Sequence, residues 1–151
     1  MLDALRDLYQ EVVFDHNRNP RNFRIMDDAN RTVEGYNPLC GDRITLYVKV
    51  DEAGVIQDVS FQGSGCAIST ASASLMTEIV RGQTEQQAED LFDLFHRITT
   101  GQDESIELES IGKLAVLAGV RAYPARVKCA TLPWHSLQSA LKNNGEAVST
   151  E

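Results

Sequence analysis

The chain has 151 residues, a formal net charge of −8, 42% hydrophobic residues and 24% charged residues. These values are typical of a globular protein with a sizeable core, and the acidic balance argues against nucleic acid as the main partner, because a phosphate backbone needs a basic surface. The sequence shows no signal peptide, and no apolar run approaches the roughly 20 residues that span a bilayer. We therefore expect no membrane partner and a cytoplasmic location.

One helix, a long loop and a β-hairpin are predicted for the chain up to Phe61. Apolar residues at helical spacing favour a helix from about Asp3 that ends before Pro20. The hairpin follows from alternating apolar and polar residues on both sides of a turn. The predicted bounds are 17–42 for the loop, 43–50 and 55–61 for the two strands, and 31–34 for a short additional strand.

Helices dominate the remainder, because the apolar period changes after Phe61. Gly82 is expected to end the first of these helices, and Thr84 with Gln87 resembles a capping box that begins the second. Pro133 is placed in the first turn of the last helix, where proline is tolerated. The predicted bounds are 67–81, Thr84 to about Gly101, 114–119 and 130–142 for the helices, 101–110 for a polar loop and 145–151 for a frayed tail.

The order of these elements, strands first and helices afterwards, indicates an α+β fold. The sequence predicts a small antiparallel β-sheet of about three strands with helices packed on one face. Neither an internal repeat nor a linker is evident, so residues 1–151 are expected to form a single domain.

Three cysteines occupy similar settings: Cys40 follows a loop and precedes a strand, whereas Cys66 and Cys129 stand at predicted helix starts. An odd number of cysteines in a reducing compartment argues against a disulfide framework. A helix N-terminus favours the thiolate, which is the form that binds metal and attacks sulfur. Any one cysteine could be a small core residue, but three in such settings favour a shared chemical site.

Asp42 is the candidate for a fourth donor, since it follows Cys40 with only Gly41 between them. The alternative is a loop carboxylate that accepts a hydrogen bond from a nearby N–H group. The cysteines are distant in sequence, so one site requires the fold to bring them to the same end of the sheet. Three thiolates and a carboxylate suit tetrahedral zinc. An iron–sulfur cluster is the rival occupant, although clusters usually take four cysteines, or cysteines with histidine.

Two basic residues and three histidines are candidates for positions close to this site. Arg126 and Lys128 shortly precede Cys129 and could lie behind the ligands, where they would offset the negative charge; the alternative is a solvated basic pair. The histidines do not neighbour a cysteine in sequence and are expected on the surface or behind the ligands, with the last of them kept in reserve as a ligand. They are His16, His96 and His135.

Three segments resemble the cysteine motifs of the U-type iron–sulfur assembly proteins. Within that family the chain is similar to the SufU branch rather than to the IscU scaffolds, because Lys128 stands where the scaffolds have a histidine, and because a long segment, with an insertion expected at 101–121, precedes Cys129. The resemblance extends to about Lys142 and implies a SufE/NifU-like fold. The segments are Asn37-Pro38-Leu39-Cys40-Gly41-Asp42, Gly63-Ser64-Gly65-Cys66-Ala67-Ile68-Ser69 and Arg126-Val127-Lys128-Cys129-Ala130.

The resemblance implies a zinc-dependent sulfurtransferase that takes persulfide sulfur from a SufS-type, pyridoxal-phosphate cysteine desulfurase and passes it to downstream iron–sulfur assembly proteins. In the family, zinc is bound by the counterparts of Cys40, Asp42, Cys66 and Cys129. The counterpart of Cys40 receives the sulfur after a histidine of the desulfurase replaces it on the metal, so Cys40 is the expected catalytic residue. An iron–sulfur cluster scaffold and a domain with a purely structural zinc are the alternatives.

Overall fold

The fold of the computed structural model is α+β, as the sequence predicts. The structure describes residues 2–38, 41–100, 114–115, 117, 120, 124–142 and 148–149, which contain one sheet and four helices. The helices are α1 (Leu2–Arg18), α2 (Ala67–Val80), α3 (Glu85–Thr100) and α4 (Pro124–Leu141). The strands are β1 (Arg31–Asn37), β2 (Asp42–Val50), β3 (Ile56–Ser64) and β4 (Val148–Ser149).

The sheet has the strand order β3-β2-β1-β4, in which β1, β2 and β3 are antiparallel and β4 is parallel to β1. Strand β1 is longer than the predicted strand at 31–34. The predicted loop at 17–42 is therefore wrong where it overlaps β1. The reason is the composition of its buried side, which holds Val33 but then Gly35 and Asn37. Buried and exposed residues alternate regularly along β1, but the buried positions after Val33 are not apolar side chains, so the sequence pattern of a strand is lost.

The helices cover one face of the sheet, with α4 against β1 and β2 and α2 against β3. Close contact between α4 and β1 depends on Gly35, because a Cβ atom there would overlap Ser136 Oγ and lie 3.2 Å from Leu132 Cδ1. This packing sets the distance between α4 and β1, the strand that ends at Asn37. It therefore also sets the position of Cys129, which is one turn before Leu132 on α4.

Helix α4 begins at Pro124, not near Ala130, which corrects the predicted start. Proline is favoured at the first helical position, because a backbone N–H there would have no intrahelical partner and its loss costs nothing. Two consequences follow for the predicted residues. Cys129 lies within the helix rather than at its N-terminus, and Pro133 lies in the helix interior, where it has no N–H to donate to the carbonyl of Cys129.

The signals at the ends of α2 and α3 are confirmed. Cys66 is the N-cap of α2, and Gly82 follows its end with a φ of 86°, which favours glycine. At the start of α3, the Thr84 hydroxyl accepts from the Gln87 N–H at 3.1 Å, and the Gln87 side chain accepts from the Thr84 N–H at 3.0 Å. This reciprocal pair is the predicted capping box.

Both edges of the three antiparallel strands have backbone partners. Residues Asn22 and Arg24 exchange hydrogen bonds with Phe61 on β3, and β4 pairs with Gly35 and Tyr36 on β1. The predicted frayed tail at 145–151 is thus wrong for residues 148–149. Such pairing covers part of each strand edge, where open backbone groups could otherwise recruit another chain.

Several predicted segments lie wholly or partly outside the described residues. These include the polar loop at 101–110 and much of the short helix at 114–119, of which Leu114 and Leu117 are described and fully buried. None of the described helices is long and apolar enough to cross a membrane.

Candidate metal centre

Three of the four predicted ligands meet at the end of the sheet where β1 finishes and β2 begins. Ligand atoms of Asp42, Cys66 and Cys129 all lie within 4.8 Å of one another. The fourth predicted ligand, Cys40, lies outside the described residues. The convergence comes from three different elements, since Asp42 starts β2, Cys66 caps α2 and Cys129 belongs to α4.

Asp42 is fully buried and fixed by the protein. Its Oδ1 accepts a hydrogen bond from the Cys66 backbone N–H at 2.7 Å, while its Oδ2 lies 3.9 Å from Cys66 Sγ. Gly65 makes this approach possible, because a Cβ atom there would lie 2.7 Å from Asp42 Oδ1. The two carboxylate oxygens therefore have separate roles: Oδ1 holds the loop before α2, and Oδ2 faces the thiols.

Cys66 is half-buried and is the only one of these three ligands that caps a helix. Its Sγ accepts a hydrogen bond from the Ser69 N–H at 3.4 Å. The pKa of the Cys66 thiol is lowered to about 7, mainly by the hydrogen bond with the Cys129 side chain and also by the N–H groups of Ser69 and Ile68. Burial and the Asp42 carboxylate oppose it. The site therefore favours a thiolate near neutral pH, which is the form that binds metal.

Cys129 is almost completely buried, with 1% of its surface exposed. Its thiol lies 3.5 Å from the carbonyl oxygen of Ala125, one turn earlier in α4. Its position does not use the N-terminus of a helix, contrary to the prediction. Cys129 is instead presented by the side of α4, at the level where this helix crosses the end of β1.

Asn37 is a member of the cluster that sequence reasoning missed. Its side-chain nitrogen lies 3.3 Å from Asp42 Oδ2 and 3.4 Å from Cys129 Sγ, and the residue is fully buried. The only available signal was its place at the start of the Asn37–Asp42 motif. Its role becomes visible through the strand register, which places Asn37 directly opposite Asp42.

The basic residues predicted behind the ligands both lie on α4. Arg126 is exposed and Lys128 is half-buried. A role for either residue in offsetting the charge of the site stays a prediction.

The histidines occupy other parts of the molecule. His16 is buried rather than on the surface, and its Nδ1 lies 2.6 Å from Ser74 Oγ. His96 and His135 pack against each other between α3 and α4, with ring centroids 5.7 Å apart. Among the described residues, the cluster of potential metal ligands contains no histidine.

The donors present fit a zinc ion. Tetrahedral zinc has Zn–S distances of about 2.3 Å and Zn–O distances of about 2.1 Å, which separate neighbouring donors by about 3.6–3.8 Å. The distance of 3.9 Å between Cys66 Sγ and Asp42 Oδ2 is close to that separation. Two sulfur donors and one oxygen donor also match the ligand types that zinc prefers. A tetrahedral ion at these three residues would need one further ligand.

Comparison with known proteins assigns the chain to a family. The model of the NifU-like N terminal domain matches residues 8–130, which include all three cysteines. The chain belongs to this NifU-like family. All three cysteines therefore lie within the NifU-like domain.

Relatives within the NifU-like family carry two kinds of name. The chain is 42% identical over 146 residues to the iron–sulfur cluster assembly scaffold protein IscU of Streptococcus pyogenes serotype M1, covering 97% of this chain and 90% of the relative. It is 41% identical over 139 residues to the zinc-dependent sulfurtransferase SufU of Bacillus subtilis, covering 91% of each.

A solved structure in this family has a similar fold. It is the putative iron–sulfur cluster assembly scaffold protein for the SUF system (FiSufU) from Fervidobacterium islandicum AW-1. The TM-score is 0.81 at 35% sequence identity, and the match covers 87% of this chain and 94% of that chain. The α+β architecture is thus that of the NifU-like proteins.

Proposed function

We propose that the protein is a zinc-dependent sulfur acceptor in iron–sulfur cluster assembly. It takes persulfide sulfur from a SufS-type cysteine desulfurase onto Cys40 and passes it to downstream assembly proteins. The observation that carries this proposal is the convergence of Asp42, Cys66 and Cys129, together with the name of the Bacillus subtilis relative. Free thiolates need a reducing compartment, so we place this activity in the cytoplasm.

The proposed ligands are Cys40, Asp42, Cys66 and Cys129. Cys40 is two residues from Asp42, and two residues of chain span at most about 7 Å. The residue between them, Gly41, has a φ of 72° and open space around its Cα atom, so the backbone turns sharply just before Asp42. This geometry supports Cys40 as the fourth ligand.

The chemistry assigned to the chain is one thiolate displacement. The Cys40 thiolate attacks the outer sulfur of the desulfurase persulfide, a new S–S bond forms at Cys40, and the S–S bond of the donor breaks. The desulfurase cysteine leaves as a thiolate, so no oxidant or reductant is consumed. When bound, zinc would hold the cysteines as thiolates at neutral pH and protect them from oxidation.

The way in which the three described ligands are held supports the choice of Cys40 as the acceptor. Asp42 and Cys129 are buried and hydrogen-bonded to the protein, and Cys66 is fixed by its role as a helix cap. Cys40 belongs to the four-residue connection between β1 and β2. Displacement of Cys40 would leave in place the hydrogen bonds of Asp42, Cys66 and Cys129 given above.

The test is desulfurase turnover measured with and without the protein. Wild-type protein is expected to stimulate turnover and to carry a persulfide on Cys40, detectable by mass spectrometry after alkylation. Cys40→Ala should abolish both effects while its circular dichroism spectrum stays native. Normal sulfur capture by Cys40→Ala would refute the role of this residue.

A second candidate function, a cluster scaffold, is favoured by the name of the Streptococcus pyogenes relative. It predicts a coloured protein after reconstitution with iron and sulfide, and transfer of the cluster to an apo-acceptor. A colourless protein with one tightly bound zinc per chain would exclude this candidate. Lys128, at the position where the IscU scaffolds have histidine, supports the sulfur acceptor instead.

A further inference from the structure

The side-chain amide of Asn37 contacts two proposed ligands at once. Asn37 ends β1, is fully buried and pairs with Asp42 in the strand register. Its Nδ2 lies 3.3 Å from Asp42 Oδ2 and 3.4 Å from Cys129 Sγ. An amide nitrogen carries two hydrogens, so each of these atoms can receive its own hydrogen bond.

The chemistry of the neighbours fixes the orientation of this amide. An ionised carboxylate can only accept hydrogen bonds, and so can a thiolate. The Asn37 nitrogen, rather than its oxygen, must therefore face Asp42 Oδ2 and Cys129 Sγ. Hydrogen bonds to charged acceptors are roughly twice as strong as those between neutral groups.

We propose that Asn37 is a positioning residue of the metal centre, which holds the Asp42 carboxylate and the Cys129 thiolate in place with its two amide hydrogens. This inference rests on the proposed function, because it takes zinc as the occupant. Asp42 Oδ2 is the carboxylate oxygen that faces the thiols, and Asn37 contacts this oxygen rather than Oδ1. The amide thus acts on the atoms that would bind the ion.

Hydrogen bonds from the protein hold three of the four proposed ligands. Asn37 holds Asp42 and Cys129 from inside the protein, and the Ser69 N–H holds Cys66 from the start of α2. The neutral Asn37 amide also reduces the repulsion between the Asp42 carboxylate and the Cys129 thiolate, and it adds no titratable group. If zinc is bound, these three ligands would retain it when Cys40 leaves to accept sulfur, as the proposed function requires.

The first experiment measures zinc affinity by competition with a chromophoric chelator. Asn37→Asp is nearly isosteric but replaces the donor with an acceptor, and Asn37→Ala removes the amide. Each is expected to lower zinc affinity by about 10- to 100-fold, the usual effect of losing a group that orients a metal ligand. Gln62→Glu is the matched control, because Gln62 lies on the opposite face of the sheet and its register partner is Thr45.

The outcomes of that experiment are distinct. Zinc affinities of both Asn37 variants within threefold of the wild type would overturn the inference and leave the proposed function intact. An equal loss in Gln62→Glu would also overturn it, since the effect would then follow from added charge alone. A wild-type protein that binds no zinc would overturn both the inference and the proposed function.

A second measurement uses the wild-type protein and so does not depend on the folding of a variant. With ¹¹³Cd in place of zinc, a hydrogen bond to a metal-bound sulfur gives a scalar correlation between the cadmium and the N–H proton. We expect one correlation from the Ser69 N–H through Cys66 and another from the Asn37 side chain through Cys129. The Ser69 signal without the Asn37 signal would overturn the proposal.

Discussion

The backbone N–H of Cys66 donates a hydrogen bond to Asp42 Oδ1 at 2.7 Å, so the main chain of one proposed ligand fixes the side chain of another. This bond links the start of β2 to the start of α2. It also leaves Asp42 Oδ2 directed at the thiols, 3.9 Å from Cys66 Sγ. The fold therefore fixes the position of the Asp42 side chain relative to Cys66.

Gly65→Ala should disturb this link and weaken zinc binding. A Cβ atom at Gly65 would lie 2.7 Å from both Asp42 Oδ1 and Ser69 Oγ, so the carboxylate must shift. We expect zinc affinity to fall by about tenfold or more, the range seen when a ligand loses its support. Competition with a chromophoric chelator measures the change.

Gly54→Ala is the matched control for that variant. Gly54 lies in the turn between β2 and β3 with a φ of 80° and has open space around its Cα atom. The substitution should lower the free energy of unfolding by about 1 kcal/mol through backbone strain, with zinc affinity unchanged. If Gly65→Ala bound zinc as tightly as Gly54→Ala, the steric argument would be wrong.

Zinc should stabilise the protein in proportion to its binding. A ligand present at about 1,000 times its Kd adds about 4 kcal/mol to the free energy of unfolding, which corresponds to a rise in Tm of about 10 °C for a chain of this size. Cys129→Ser should reduce the rise, because it replaces a buried thiolate ligand by a weaker donor. Calorimetry at several zinc concentrations measures both, and a wild-type Tm independent of zinc would contradict this expectation.

The same calorimetric series separates the sulfur acceptor from a domain with a structural zinc. Among the described residues, Cys129 is the one predicted ligand in the hydrophobic core, so the metal-free protein is expected to stay folded at 25 °C. Complete unfolding on chelation at that temperature would favour a structural role for the metal.

The parts of the fold that the sequence predicts well are those whose signals are local. Gly82 and the Thr84–Gln87 pair mark helix ends through their own backbone preferences and hydrogen bonds. The role of Asn37 could not be predicted, because it depends on which residue the register places opposite. The start of α4 was also missed, since an interior proline at 133 resembles a first-turn proline when only the sequence is considered.

Two buried serines allow a matched comparison of a hydrogen-bonded hydroxyl with one that has no hydrogen-bond partner within the described residues. Ser74 Oγ lies 2.6 Å from His16 Nδ1 and accepts from the Arg21 N–H at 2.8 Å, which joins α1 and the following loop to α2. Ser60 Oγ is equally buried but has no hydrogen-bond partner within the described part of the chain. The two hydroxyls should therefore differ in their contribution to stability.

We expect Ser74→Ala to lower the free energy of unfolding by about 1–3 kcal/mol, because the buried His16 ring and the part-buried Arg21 N–H each lose a hydrogen bond. Ser60→Ala should be neutral or stabilising, since it removes a buried hydroxyl that has no compensating bond. Urea denaturation of both variants and the wild type makes the comparison. Equal losses in the two variants would show that the hydrogen bonds at Ser74 do not account for its effect.

His135 should make stability depend on pH just below neutrality. Its ring lies between α3 and α4, with its centroid 4.9 Å from that of Phe92 and 5.7 Å from that of His96. Burial lowers the pKa of His135 below its usual value, and the nearby His96 lowers it further. The unfolded chain, with a histidine pKa of about 6.5, then binds more protons than the folded protein as the pH falls below that value.

The sign follows from this difference in proton binding. The stability that His135 contributes is fully present above about pH 6.5 and is lost as the pH falls towards the lowered pKa of the folded state. Wild-type protein in excess chelator should therefore lose more stability than His135→Gln between about pH 6.5 and 5, as measured by urea denaturation. His96→Gln should show an intermediate slope, because His135 stays buried but no longer has His96 beside it. Parallel pH profiles for the wild type and His135→Gln would refute the assignment.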